Sequence, residues 1–241
     1  MRKVISVFGM ILISLLLFSC SASSPVEKLK KELAQFPQFS IILEDMKEEG
    51  TFFKDYYHKY KIVYAEALPE NPDSLVFTSE ILDWQKVSKK EFQKYFNYLG
   101  MVIAAKTPEG KITDTPYPPG YQYVGNPRYG HWRTDSQGNS FWEFYGKWMF
   151  LSSMFNMFGR PIYRNDYDDY RRTYRQGQPW FGKNRQYGTF GETTKKTHRS
   201  FFERRMAKER LRKQSFSQRV KKRVRRSKMS GFRSRSGGFG K

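Results

Sequence analysis

Residues 51–65 read TFFKDYYHKYKIVYA, residues 74–84 read SLVFTSEILDW, and Pro69-Glu70-Asn71-Pro72-Asp73 stands between them. Phe, Tyr, Ile and Val dominate both outer runs. These residues fit a pleated, half-buried surface, so the runs predict two β-strands. The Pro/Asn/Asp cluster predicts the turn that joins them. Downstream, Ser88 and Glu91 match a capping box and predict a helix through Phe92, Tyr95, Phe96 and Leu99, ended by Gly100. Met101 to Lys106 predicts another strand, with Thr107-Pro108-Glu109-Gly110 as its turn. Upstream, Val26, Leu29, Leu33 and Phe36 form a helical stripe broken by Pro37. Phe39, Ile42, Leu43 and Met46 predict a second short helix, closed by Gly50. Two helices followed by β-β-α-β predict a small α+β domain over residues 25–115, long enough to bury its own core.

Pro116-Tyr117-Pro118-Pro119-Gly120 marks a boundary, and residues 116–198 form an aromatic, Gly-rich segment. Trp132 to Asp135 and Asn139 to Trp142 flank Ser136-Gln137-Gly138 and predict a hairpin. Phe141 to Phe158 is apolar nearly all round. Phe144, Trp148, Leu151, Phe155 and Phe158 keep helical offsets, which predicts a helix buried in the protein rather than lying on lipid. Arg160 to Gly191 mixes Arg, Tyr and Asp and predicts a loop in which the Asp residues pair with nearby Arg.

The chain of 241 residues carries a net charge of +21, unevenly spread. Residues 199–241 hold 17 basic and 2 acidic side chains, whereas residues 21–110 hold 12 and 14. A nearly neutral body therefore ends in a cationic tail, expected to be partly helical or disordered until it meets an anionic partner. The candidate contact residues are Arg204, Arg205, Arg210, Arg212, Lys213, Arg219, Lys221, Lys222, Arg223, Arg225, Arg226 and Lys228.

Arg2 and Lys3 precede a 15-residue run from Val4 to Phe18 that is apolar apart from Ser6, Gly9 and Ser14, too short for a comfortable span and suited to a signal-peptide core. It ends in Leu17-Phe18-Ser19-Cys20, which resembles the lipobox of bacterial lipoproteins. Phe18 departs from the small or aliphatic residue usual there. The resemblance implies a signal peptide over residues 1–19 and a lipidated tether over 20–24, with Cys20 as the acylated N-terminus. Ser21 after the cysteine implies the outer membrane in a two-membrane bacterium. The Ser/Arg-rich Gly-Gly-Phe-Gly ending is similar to the tails of some bacterial lipoproteins and implies no activity. Acyl chains at ~0.8 kcal/mol per buried CH₂ hold such a chain stably.

The expected partners are the membrane, through the lipid anchor, and anionic envelope components: lipid, lipopolysaccharide or cell-wall polymer. Another envelope protein is a further candidate, and export argues against nucleic acid. If the leader is no lipoprotein signal, a nucleic-acid-binding protein becomes the leading reading.

Catalytic chemistry has little support. His58, His131 and His198 lack metal-ligand spacing, and no nucleophile motif or phosphate-binding Gly-rich loop occurs. Asp166, Asp168 and Asp169 lack the Gly and distal Glu of a calcium loop. No cofactor, metal or catalytic residue is expected. The competing reading is an envelope enzyme with a pocket near His131, Asp135 and Glu143.

Overall fold

Strand β1, Gln38–Glu49, is the middle of the molecule. It pairs antiparallel with β2 (Asp55–Leu68) on one side and β5 (Val102–Lys106) on the other. β3 (Asn71–Ile81) and β4 (Gln85–Val87) both pair with β2, over its C-terminal and N-terminal parts respectively. β6 (Ile112–Thr113) closes the other edge, giving a six-stranded sheet ordered β3-β2-β1-β5-β6 with β4 beside β2. The structure, a computed structural model, describes residues 24–50, 52–68, 70–157 and 161–230. The leader with Cys20, Phe158 and the Gly-Gly-Phe-Gly ending lie outside the described residues.

The chain is thus of mixed helix and antiparallel sheet. The second short helix expected over Phe39–Met46 is instead the N-terminal two-thirds of β1. A register shift between Leu43 and Asp45 explains the misleading spacing. Glu44 is the extra residue of a bulge, so Leu43 and Met46, three apart, face the same layer as Phe39 and Ile41. Ile42 faces the other layer. A strand buried on both faces shows no period of two.

The first layer contains α1 (Pro25–Leu33) and α2 (Lys89–Tyr95), which pack over Phe39, Ile41, Leu43, Tyr60 and Ile103. Ser88 caps α2 by accepting from the Glu91 amide at 3.1 Å, as the capping box implies. The turn cluster is shorter than expected, because Asn71 to Asp73 already belong to β3.

The second layer is the aromatic segment. Tyr117, Tyr121, Tyr123, Tyr129, Trp142 and Trp148 bury against Ile42, Val63, Phe77 and Val102 of the sheet. β7 (Gly130–Thr134) and β8 (Ser140–Phe144) form the expected hairpin, with Trp132 opposite Trp142. The long apolar helix is not formed. Phe141 to Phe144 stay in β8, Gly146–Trp148 is a 3₁₀ turn, and only Phe150–Met154 (α3) is α-helical. Cross-strand pairing of the aromatics holds the first part of that stretch in the hairpin. Trp148, Leu151 and Phe155 still reach one core, which is why their offsets read as helical.

The loop expected over residues 160–191 contains a helix, α4 (Arg164–Arg175). Its Asp residues do pair with Arg: Arg164 with Asp168, and Arg172 with Asp169. Then come α5 (Glu192–Thr197) and α6 (Arg199–Ser230), the latter a single helix of 32 residues.

Candidate functional site

The polar features converge where α6 leaves the body. The β1 bulge turns the Glu44 carboxylate towards the aromatic layer. The neighbouring Lys61 of β2 lies on the same face, directly opposite Ile42 in the register. His198, between α5 and α6, brings its Nε2 to 3.9 Å from Glu44 Oε2. Lys61 donates to the Met154 carbonyl at 2.6 Å, tying the sheet to α3. Burial lowers the pKa of both Lys61 and His198, with Glu44 acting in the opposite direction on each. Asn156, at φ +54°, adds one left-handed non-glycine residue to the rim.

These groups line a cavity of about 30 Å³. That is room for a water molecule or two, whereas ligand pockets run to roughly 300–1,000 Å³. So small a space between Glu44, Lys61 and His198, at the root of α6, leaves no room for a substrate.

The next turns of α6 follow β1. Arg204 donates to Asp45 Oδ1 at 2.5 Å, and Ser200 donates to the other Asp45 oxygen at 3.4 Å. Lys208 donates to Glu48 Oε2 at 3.4 Å, an oxygen that also accepts from Lys54 at 2.9 Å. Three acids within five residues of β1 thus meet His198, just before α6, and Arg204 and Lys208 on it. Phe201 and Phe202 add apolar contacts to the first layer. The Arg204 guanidinium lies over the Trp84 ring, and Arg205 lies over Phe96 and Phe190.

Beyond Lys208 the helix leaves these partners. Arg210, Arg212, Lys213, Arg219, Lys221 and Arg223 are exposed, and Lys213 pairs with Glu209 of its own helix at 3.0 Å. Lys222, Arg225, Arg226 and Lys228 continue the same helix. The candidate contact residues are thereby split. Arg204 and Arg205 are spent on the body, and the remainder stand on one helix.

The hairpin residues serve the hairpin. His131 and Glu143 are cross-strand partners, with Nε2 and Oε2 3.4 Å apart, and Arg133 donates to the same carboxylate at 2.9 Å. His131 stacks on Tyr145. Asp135 accepts from the Gln137 and Asn139 amides and holds the turn, and those bonds lower its pKa. Asp166, Asp168 and Asp169 lie on α4, and burial raises the Asp166 pKa. Among the described residues, no three His, Cys, Asp or Glu side chains gather in a metal-holding group. Among the described helices, none is long and apolar enough to cross a membrane.

The fold shows that His58, weighed in the sequence only for metal-ligand spacing, is buried. His58 lies under α2 with its Nδ1 3.0 Å from the Tyr60 hydroxyl and its ring stacked on Phe92. Burial pushes its pKa down to about 4. A wide groove of about 1000 Å³ between α1, β4 and α2 carries Glu27, Glu32 and Glu80 against Lys28, Lys86 and Lys90, with no excess of either sign among them. No family model, curated protein or solved structure matches the chain.

Proposed function

We propose that the chain is a lipid-anchored protein of the bacterial cell envelope, attached through Cys20 and on the outer membrane where two membranes exist. It performs no catalysis, and its C-terminal helix contacts an anionic envelope component. The leader supports the anchor by its resemblance to a lipobox. The observation that carries the contact is the run of exposed basic residues on α6 beyond Glu48, from Arg210 to Arg223. The mostly basic, solvent-exposed surface of this helix suits an anionic partner. Each Lys or Arg near an anionic lipid surface contributes ~1 kcal/mol.

A non-catalytic role is supported by the use of His131, Asp135 and Glu143 within the hairpin itself. Binding of the full chain to anionic envelope fractions at low and high salt tests the reading. The expected result is retention at low salt, lost at high salt and lost in a variant with Arg210, Arg212, Arg219 and Lys221 changed to Gln. Retention indifferent to both would refute it.

A further inference from the structure

Six apolar residues interrupt the polar surface of α6: Phe202, Met206, Leu211, Phe216, Val220 and Val224. At ~100° per residue, all except Leu211 fall within an arc about 80° wide, which the Glu209–Lys213 ion pair interrupts between Met206 and Phe216. The stripe has two halves. Phe202 packs against the first core layer, so the body sets the phase of the helix. Past the last contact with β1 and past Glu209 and Lys213, the apolar arc resumes in water, with Phe216 68% and Val220 42% exposed. From Arg212 to Lys228 the helix carries nine basic residues and no acidic one.

Charge decides what can cover this surface. A second copy of the chain would set nine cations against nine. A soluble polyanion would satisfy the charges and leave Phe216 and Val220 in water. An anionic bilayer satisfies both, because its headgroups take the cations and its acyl boundary takes the stripe. The same end of the molecule holds a further apolar feature. Gly50, at φ +89°, turns the β1–β2 connection so tightly that a Cβ there would lie 1.9 Å from the Phe53 carbonyl oxygen. That turn leaves Phe52 and Phe53 in solvent. Arg212 lies close enough to the adjoining Lys54 to repel it electrostatically.

We propose that the C-terminal half of α6 lies in the headgroup region of an anionic lipid bilayer, with Phe216 and Val220 turned towards the acyl chains. The proposal rests on the reading of α6 as the contact to an anionic surface and narrows that surface to lipid.

The test places a thiol at Val220 or, across the helix, at Gln218, in full-length chain carrying Cys20→Ser so that the new cysteine is the only one. Each is labelled with an environment-sensitive fluorophore. Vesicles of phosphatidylcholine, with or without phosphatidylglycerol, carry a quencher on their acyl chains. With phosphatidylglycerol present, the Val220→Cys label should shift to the blue and lose most of its emission, while the Gln218→Cys label keeps its own. Equal quenching at the two positions, or none at Val220, would overturn the proposal. If Val220 stays unquenched while the chain still binds soluble polyphosphate in a salt-dependent way, lipid docking falls and the wider reading stands. If neither lipid nor polyphosphate binds, both fall.

Discussion

Arg204, in the second turn of the cationic helix, donates from its guanidinium to Oδ1 of Asp45, which is buried on the central strand. This bond joins the start of the tail to the middle of the sheet. Asp45→Asn leaves Arg204 beside a neutral partner, and the guanidinium is itself 43% exposed, so solvent recovers part of the loss. We expect a destabilisation of about 1–2 kcal/mol. A double-mutant cycle with Arg204→Gln should give a coupling of about 1 kcal/mol by urea denaturation, and additive single effects would show the pair to be idle.

Stability should fall in mild acid. His58 is buried neutral, with a folded pKa of about 4 against about 6.5 in the unfolded chain. The unfolded chain binds more protons between these values, so stability is complete above about pH 6.5 and lost as the pH falls towards 4, by about 3 kcal/mol in all. The groups around the ring are the Tyr60 hydroxyl, Phe92 and Tyr95, none of which supplies a compensating negative charge. Burial acts on His198 in the same direction. Urea titrations at pH 7 and pH 4.5 should therefore show a steeper loss in the wild type than in His58→Leu, which forfeits the Tyr60 bond at every pH. Parallel losses would remove His58 from the account.

Gly100 is held at φ +72°, and a Cβ there would come within 2.8 Å of the His198 ring. Gly100→Ala adds backbone strain and pushes His198 away from Glu44, at a cost of about 2 kcal/mol. Hydrogen exchange should show the loss first at the root of α6, between residues 199 and 208. Exchange raised evenly over the whole sheet would contradict that localisation.

The aromatic layer is fastened to β1 by a buried relay. The Tyr117 hydroxyl donates to Gln122 Oε1, and the Gln122 amide donates to Ser40 Oγ at 3.0 Å. Burial drives the Tyr117 pKa well above its usual value, so the hydroxyl remains a donor at every working pH. Gln122→Leu strips both neighbours of their partner and should cost about 2–3 kcal/mol, read as a lowered urea midpoint. An unchanged midpoint would mean that water replaces the amide.

The parts of this architecture that local chemistry dictates were legible in the sequence. Ser88 and Glu91 marked the start of α2, and Asn139 to Trp142 marked a hairpin arm. β1 was not, because the bulge at Glu44 converts a strand's alternation into the three-residue spacing of a helix. α4 was hidden by its polarity, although Tyr163, Tyr167, Tyr170 and Tyr174 keep helical offsets and two of them are buried. The charge cluster at the root of α6 could not be read from spacing, since Glu44, Lys61 and His198 are brought together only by the fold. What the sequence did show is the cationic tail. The fold adds that its first turns are engaged by the acids of β1.

Lipid attachment at Cys20 is the claim on which the account of location depends, and the mass of the chain isolated from bacterial membranes tests it most directly. The account predicts a mature N-terminus at Cys20 carrying a diacylglyceryl or triacyl group, lost in Cys20→Ser. A chain that retains Met1, or one cleaved elsewhere with an unmodified thiol at Cys20, would contradict it.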